Sequence, residues 1–508
     1  MIYFLIAAAA LLLILLHDLF QKKHAILRNF PLVGHLRYLL ERVGPELRQY
    51  IVTNNNEERP FSRDQRRWVY SSSKKQNNYF GFGSDNNFET TKDYLIYKHS
   101  AFPLAGTHPG EPGYDDQYRI PAAKVLGGYR ERTKQFRPSS IINVSGMSFG
   151  SLSSAAIRAI NEGCSASGCL HNTGEGGVSP YHLKGGELIW QIGTGYFGCR
   201  AEDGGFSLPK LLETVDKHPQ IRAIELKLSQ GAKPGLGGVL PGAKVTPEIA
   251  SIRGIPVGKD CLSPNGHRAF SDIDEMLDLV EEIAAASGLP VGIKSAVGDL
   301  QFWHDLAKLM ASTDRAVDFI AVDGGEGGTG AGPLVFSDHV SLPFRAAFKH
   351  VYLAMAEQDL QDHIVFIGAG KLGFPESALL ACGMGCDMIA VAREALLAIG
   401  CIQAQKCETG KCPTGVTTHN KWLVRGLDPT DKGARLANYL ITLRKEIKRL
   451  CHAGGVAHPA MITLDHFEIM DGPFSSRNAR EVFGYTAYQD KPGPNEDNYV
   501  NNIFLNKN

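Results

Sequence analysis

Three apolar runs decide the fold: PVGIKSAV (290–297), DFIAVDGGEGG (318–328) and HIVFIGAGKL (363–372). Each run ends in glycine or is followed directly by one, and amphipathic helical spacing follows at about 301–313 and 343–359. Apolar strands that alternate with helices are typical of a parallel sheet covered by helices. The sequence therefore predicts an α/β protein with a parallel sheet.

The same alternation continues on both sides of these runs. It predicts further strands at 141–147, 170–177, 223–231 and 387–391, and further helices at 151–167, 271–287, 375–383 and 395–400. About eight units with polar residues at the strand ends favour a closed (β/α)8 barrel, a TIM barrel. We place the barrel at 140–450, after a juxtamembrane and capping region at 21–139 and before a C-terminal tail at 451–508.

Charge and cysteine content limit the classes of function. The 508 residues contain 53 basic and 53 acidic side chains, so the net charge gives no attraction to nucleic acid, and we expect no nucleic-acid partner. Ten cysteines are scattered, apart from one close trio. This pattern favours a reducing compartment with one metal site over a disulfide framework.

The chain begins with an unbroken apolar run, MIYFLIAAAALLLILL, and basic residues follow it at Lys22 and Lys23. A run of about 16 to 20 residues is at the short end of a membrane-spanning helix. Basic residues on the C-terminal side predict a cytoplasmic main domain. We therefore expect residues 1–20 to be a single-pass anchor in the inner (cell) membrane. The alternative is a buried N-terminal helix.

The close trio of cysteines has the pattern C-x5-C-x4-C-P, with Cys401, Cys407 and Cys412 followed by Pro413. Three thiolates suit an iron–sulfur cluster with three protein ligands. Zinc usually takes four ligands, which Cys451 or His419 could complete. On spacing alone a cluster, a zinc site and unreactive thiols all remain open.

The last two strand ends are rich in small residues: Gly368-Ala369-Gly370 has two glycines, and Ala390–Ala395 has three alanines. In (β/α)8 enzymes the last two such loops commonly bind phosphate through backbone N–H groups. Gly368, Gly370 and Gly373 also spell G-x-G-x-x-G, the dinucleotide-binding pattern. That alternative is disfavoured because Asp387 begins the next strand instead of ending it.

Two charged residues lie at unusual places in the strand pattern. Lys294 is at the centre of an apolar strand, where burial requires a negative partner such as a reduced flavin. The alternative is an ordinary surface or salt-bridged lysine. Glu175 lies between glycines in NTGEGG (172–177), where it could move a proton or merely form a turn.

Together, these motifs resemble the FMN-containing synthase domain of glutamate synthases. The matching segments appear in order between about 140 and 420: SGMSFGSLS, NTGEGG, ELKLSQGAKPGLGGVLPGAKVT, VGIKS, GGTGAGP and GCIQAQKCETGKCPTGV. The resemblance implies an oxidoreductase that forms glutamate from 2-oxoglutarate and an amine donor, with hydride from FMN.

The resemblance also assigns roles to residues. It implies that Cys401, Cys407 and Cys412 bind a 3Fe–4S cluster that relays electrons, and that Glu175 and Lys294 are catalytic. The residues that it places around FMN are Met147, Ser148, Gln230, Lys294, Gly327, Gly328, Gly368, Gly370 and Arg393.

Departures from the family leave the overall reaction open. The sequence has no recognisable glutaminase nucleophile and no NAD(P)H-binding unit, and Gly325-Glu326 replaces the family's His-Asp. The nitrogen could come from ammonia, another amine or a separate glutaminase. The electron donor could be ferredoxin, a quinone or a separate reductase subunit. Two alternatives are a membrane-associated flavin and iron–sulfur electron-transfer subunit, and a zinc-stabilised barrel without redox function.

Overall fold

The structure is a computed structural model that describes residues 1–21, 23–52, 57–79, 81–486 and 500. Contacts divide the chain into two compact units, residues 1–68 and residues 69–508. Lys22 and most of the predicted tail beyond 486 lie outside the described residues.

The second unit contains a closed barrel of eight parallel strands, which confirms the predicted TIM barrel. The barrel closes between the first and last strands, where Ile142 pairs with Ile389 and Val144 with Val391. The strands are β1 Ile142–Val144, β2 His171–Asn172, β3 Leu188–Ile192, β4 Ile221–Lys227, β5 Val291–Ser295, β6 Phe319–Asp323, β7 Val365–Ala369 and β8 Met388–Val391.

Helices cover the barrel, and six of them lie close to the predicted positions. Side-chain caps fix several starts: the Ser153 hydroxyl accepts from Ala156 N at 3.1 Å and the Asp272 carboxylate from Glu275 N at 2.9 Å. The helices are α1 Ser154–Ser167, α2 Leu208–Lys217, α3 Ile273–Ser287, α4 Gln301–Ser312, α5 Phe344–Ala356, α6 Pro375–Gly383, α7 Arg393–Ala398 and α8 Pro429–Ala453.

Two parts of the prediction differ from the structure. The predicted strands are too long; for example, 170–177 was predicted but the paired strand is His171–Asn172. Glycines at the strand ends leave the ladder and form loops, which hydrophobic periodicity cannot separate from strand. Strand β3 and helix α2 were not predicted, although all five residues of β3 are buried.

Segments outside the barrel pair with each other. Leu95–Tyr97 and Phe467–Gly472 form antiparallel neighbours, and Ser475–Asn478 extends that sheet. Lys98 Nζ meets Glu468 Oε1 across it at 2.9 Å. Shorter elements are the strands Val239–Leu240 and Cys261–Leu262, the α-helices Arg63–Ser73, Pro247–Arg253, Leu334–His339, Lys421–Val424 and Ala479–Phe483, and the 3-10 helices Pro180–His182, Gly242–Lys244, Pro459–Met461 and Leu464–His466.

The first unit contains the apolar helix Ile2–Phe20. By length and composition this helix could cross a membrane, and only 6% of its most apolar window is buried. The helices Ala25–Asn29 and Gly34–Leu47 and the π-helical turn Arg48–Val52 follow it.

Candidate active site

The carboxyl ends of the eight strands meet at one end of the barrel, called the barrel mouth here. Most of the residues singled out in the sequence are at or just beyond these ends: Glu175 after β2, Gln230 after β4, Lys294 within β5 and Gly370 after β7. Active sites of this fold are formed by the loops at this end. The barrel mouth is therefore the candidate active site.

A buried carboxylate organises the floor of the site. Glu225, on β4, is 2% exposed, and its Oε1 accepts from Asn172 Nδ2 at 2.8 Å and from Gln191 Nε2 at 2.6 Å. The Asn172 Oδ1 accepts in turn from Gly174 N at 3.0 Å. Three neighbouring strands are thus linked through side chains, and the loop that carries Glu175 is held in a fixed position.

Glu175 faces several cations. Its Oε1 lies 3.1 Å from Lys227 Nζ. Burial acts to raise the pKa of Glu175, but the charges of Lys227, Lys233 and Arg253 outweigh it and hold that pKa below its ordinary value. Glu175 is therefore ionised at neutral pH.

Lys233 and Arg253 were not predicted as site residues, although Lys233 is in one of the quoted motifs. Both are buried, at 7% and 6% exposure, in the segment between β4 and α3. Arg253 donates to Phe149 O at 3.1 Å and Ser148 Oγ at 3.4 Å, while its Nε has no hydrogen-bond partner among the described residues. Burial lowers the pKa of Lys233, although Glu175 partly opposes that effect.

Lys294 is buried on β5, and its negative partner in the structure is an aspartate, which matches the salt-bridged alternative. Its Nζ lies 3.4 Å from Asp323 Oδ2 and 3.4 Å from Ser145 Oγ. Burial acts to lower the pKa of Lys294, but Asp323 and Glu225 outweigh it and raise that pKa. Asp323, which also accepts from Gly231 N at 3.1 Å, was not predicted.

The predicted cofactor residues fall into two groups. The first group lies near β1 and β4. The loop of Met147 and Ser148 packs closely on Gly174, because a Cβ at Gly174 would lie 2.6 Å from Ser148 N. Gln230 Oε1 accepts from Lys227 Nζ at 2.6 Å.

The second group lies at the ends of β6 to β8. A Cβ at Gly328 would lie 2.5 Å from Arg393 Cδ, and Arg393 donates to Glu326 O. Gly370 has a φ of +141°, which favours glycine. Gly327 follows the same turn, where its N–H donates to Gly324 O at 2.9 Å. Gly368 packs differently, because a Cβ there would lie 2.8 Å from Cys386 Sγ.

The loop of the three cysteines lies next to the glycine run that follows β6. A Cβ at Gly330 would lie 4.0 Å from Cys407 Cβ. Lys244 Nζ donates to Cys407 O at 2.9 Å, and its charge also acts on Cys412. Burial raises the pKa of the Cys407 thiol. For Cys412, burial acts in the same direction, but hydrogen bonds from Thr414 and Thr417 outweigh it and lower the pKa.

Within the described residues, no group of three or more His, Cys, Asp or Glu side chains is already arranged as a metal site. The other ligands weighed for zinc have different surroundings. His419 Nε2 lies 2.7 Å from Gly150 O, and Cys451 is buried in α8. Neither residue belongs to such a group within the described residues.

A family model described as the conserved region in glutamate synthase matches residues 121–457. The chain belongs to the glutamate synthase family. This match confirms the family resemblance of the sequence motifs and identifies the chain as a glutamate synthase-like enzyme.

Relatives in this family cover the chain to different extents. The glutamate synthase large subunit-like protein YerD of Bacillus subtilis is 37% identical, over 88% of this chain and 90% of its own length. A glutamate synthase large subunit-like protein of Rhizobium meliloti is 30% identical, over 70% of this chain and 84% of its own.

The archaeal-type glutamate synthase [NADPH] of Thermotoga neapolitana is 35% identical over 61% of this chain, but the match spans 58% of that relative.

Proposed function

We propose that this glutamate synthase-like enzyme reductively aminates 2-oxoglutarate to glutamate. The observation that carries the proposal is the arrangement of Lys227, Lys233 and Arg253 around Glu175 at the barrel mouth. Three cations with one carboxylate leave an excess of positive charge. Such a site suits a small dicarboxylate better than a neutral substrate.

The contacts of these cations indicate which of them would bind the substrate. Lys227 is engaged by Glu175 and Gln230. Lys233 has no ion pair among the described residues, and the Nε of Arg253 has no hydrogen-bond partner there. A buried cation is costly without a negative partner. We therefore assign the carboxylates of 2-oxoglutarate to Lys233 and Arg253.

The residues at the barrel mouth fit FMN. Gly327, Gly328 and Gly370 permit close approach of the backbone, and Arg393 supplies a charge for a phosphate. Lys294 would lie near the flavin ring, where a cation favours the reduced form. When bound, FMN supplies the hydride that reduces an imine.

Glu175 and Lys294 would have different roles. The ionised carboxylate of Glu175 can accept a proton from the attacking amine and return it to the hydroxyl of the tetrahedral adduct, so that this oxygen leaves as water. Ionised again, Glu175 can stabilise the positively charged iminium group that forms. Lys294 is held by Asp323 and Ser145, so it keeps its charge and its position. The network beneath them, centred on Glu225, keeps the loop of Glu175 in place.

The three cysteines fit an iron–sulfur cluster in their donor chemistry. Three thiolates are the ligand set of a 3Fe–4S cluster, and the cation of Lys244 beside Cys407 and Cys412 would stabilise its negative charge. The cysteine loop lies against the run that contains Gly330. This proximity supports a relay of electrons from the cluster to the flavin.

An anaerobic assay tests the proposal. Full-length protein with measured FMN and iron is supplied with a dithionite-reduced dye, 2-oxoglutarate and ammonium. We expect glutamate, and omission of either substrate should abolish its formation. Two controls exclude a chemical background. No glutamate should form when 2-oxoglutarate is omitted, and no glutamate should form when the protein lacks FMN. A protein with both cofactors that forms no glutamate would contradict the assigned substrate.

A second function is favoured by the apolar helix Ile2–Phe20. We propose that residues 1–20 anchor the chain in the inner membrane with residues 21–139, the barrel at 140–450 and the tail in the cytoplasm. An anchored enzyme could exchange electrons with a quinone, as an electron-transfer subunit does. Anaerobic reoxidation of the reduced flavin by a quinone, without 2-oxoglutarate, would support that role. A chain that takes its electrons from ferredoxin or a separate reductase subunit should show no such reoxidation by a quinone.

A further inference from the structure

One surface of the first unit has no role in the proposed reaction. The helix Gly34–Leu47 carries apolar side chains at intervals of three and four residues, which places them on one face. All are between 37% and 56% exposed: Leu36, Leu39, Leu40, Val43 and Leu47. We call these five residues the leucine face. A continuous exposed apolar face of this kind usually meets another apolar surface.

Charge around the leucine face restricts what can cover it. On a helical projection Arg37 borders one side of the face and Arg42 the other, and both are exposed. Arg37 also pairs with Glu41 at 2.9 Å, so Arg42 and the basic residues outside the helix supply the excess positive charge. Residues 21–50 contain six Lys or Arg and two Glu. The segment as a whole is therefore positively charged, so two copies of it would repel each other. Anionic headgroups would instead be attracted to the arginines, and the stems of these side chains can extend along an apolar surface.

The turn that precedes the leucine face is fixed by a buried carboxylate. Asp18, near the end of the helix Ile2–Phe20, is fully buried. It accepts from Leu32 N at 3.0 Å, and its Oδ2 lies 2.9 Å from His35 Nε2. These contacts join the end of the apolar helix to the start of Gly34–Leu47, with the short helix Ala25–Asn29 between them in the sequence. The leucine face therefore begins where the possible membrane-spanning helix ends.

We propose that Gly34–Leu47 is an interfacial helix that lies on an anionic membrane surface, with the leucine face toward the acyl chains. The inference rests on the proposed anchoring of residues 1–20 and adds a second membrane contact to it. Helices of this kind bury an apolar face to about 5–10 Å and use basic side chains at the headgroups. The helix Ile2–Phe20 would cross the bilayer, and Gly34–Leu47 would remain at its surface.

Tryptophan fluorescence in the full-length chain can test this position. Three single variants are reconstituted in vesicles of phosphatidylcholine and phosphatidylglycerol that contain brominated lipids, and the emission of the unmodified chain is subtracted. Leu40→Trp reports on the leucine face. Tyr38→Trp is the matched control, because Tyr38 lies on the opposite side and its ring meets the His24 ring at 5.2 Å. Leu11→Trp reports on the proposed anchor.

Bromine near the headgroup end of the acyl chains should quench Leu40→Trp about twofold more than Tyr38→Trp. The difference should decrease in vesicles of phosphatidylcholine alone. Bromine near the chain ends should quench Leu11→Trp most strongly. Equal quenching of Leu40→Trp and Tyr38→Trp would overturn the interfacial position.

Three other outcomes are also informative. Quenching of Leu11→Trp alone would overturn the inference but leave the anchor. If neither Leu11→Trp nor Leu40→Trp is quenched, both the anchor and the interfacial helix are contradicted. A blue-shifted Leu40→Trp emission without bromine quenching would show that protein covers the leucine face, from this chain or a second copy, and would also overturn the inference.

Discussion

The two halves of the barrel mouth differ in how they can recognise a ligand. The half formed by β2 to β4 and the segment before α3 holds Glu175, Lys227, Lys233 and Arg253, so its character is set by side-chain charge. The half formed by β6 to β8 ends in glycines at positions where a Cβ would contact neighbouring atoms. On the proposed function, the first half would bind the anionic substrate through side-chain charge, and the second half would hold the cofactor.

The largest effect is expected where the two halves meet. A Cβ at Gly231, after β4, would collide with the carbonyl of Gly324, after β6. Gly231→Ala must push these loops apart, so we expect it to lower the free energy of unfolding by about 3 kcal/mol and to reduce bound FMN. Chemical denaturation and flavin absorbance measure both changes.

Gly266→Ala is the control for that experiment. Gly266 lies in the segment before α3, and a Cβ there would meet nothing within 4 Å. Equal stability and flavin content in the two variants would show that the close approach of the loops has no role.

A smaller but selective loss is expected in the charged half. Arg253→Gln removes a buried cation, and we expect kcat/KM for 2-oxoglutarate to fall about 100-fold while FMN content is unchanged. Arg222→Gln is the control. It makes the same change near the start of β4, away from the barrel mouth, where Arg222 pairs with Glu187 at 2.8 Å. It should leave kcat/KM nearly unchanged. Loss of FMN from Arg253→Gln would assign Arg253 to the cofactor instead of the substrate.

The pH dependence of the reaction can identify the partner of Glu175. Lys227 helps to hold the pKa of Glu175 below its ordinary value. Lys227→Gln removes that stabilisation of the ionised form, so the pKa should rise. The acidic limb of the kcat/KM profile should then move to higher pH by about one unit. Lys210→Gln, a change of an exposed lysine on α2, should not move it. An unchanged limb in Lys227→Gln would exclude Glu175 as the group that titrates there.

The smallest predicted effect concerns the flavin potential. Asp323 compensates the charge of Lys294 at 3.4 Å. In Asp323→Asn the lysine charge would be less compensated and would favour the reduced flavin, which raises the midpoint potential by about 30 mV, equivalent to a tenfold change in the equilibrium. Spectroelectrochemical titration measures this shift. Asp299→Asn is the control, because it removes an exposed carboxylate just after β5 and should leave the potential unchanged. An unchanged midpoint potential in Asp323→Asn would show that Asp323 does not influence the flavin.

Hydrophobic periodicity located most of the strands, though not where they end, and the parallel barrel brings their carboxyl ends together. Lys294 could be singled out because it interrupts an apolar strand, and Glu175 because it follows one. Their partners could not be found in this way. Arg253 contacts Ser148, 105 positions earlier, and Asp323 meets Lys294 from the next strand. Such contacts depend on the closed barrel, and no local pattern records them.

Strand β3 illustrates the same limit for the fold. Its sequence LIWQI is short and its alternation is not that of a half-exposed strand, because both faces are covered. The cysteine trio is a different case, since its spacing suggested a metal site but could not choose the metal. The proposal of an iron–sulfur cluster, instead of zinc, rests on the resemblance to the family and not on the spacing.

The sheet outside the barrel affects how the chain can be shortened. The family model covers residues 121–457, so it leaves out both Leu95–Tyr97 and its neighbour Phe467–Gly472. Each strand supplies the hydrogen-bonding edge of the other. Deletion at one terminus alone would leave an open edge, which promotes aggregation. The two extensions therefore depend on each other, and we expect that both must be kept, or both removed, when the barrel is trimmed or fused to another protein.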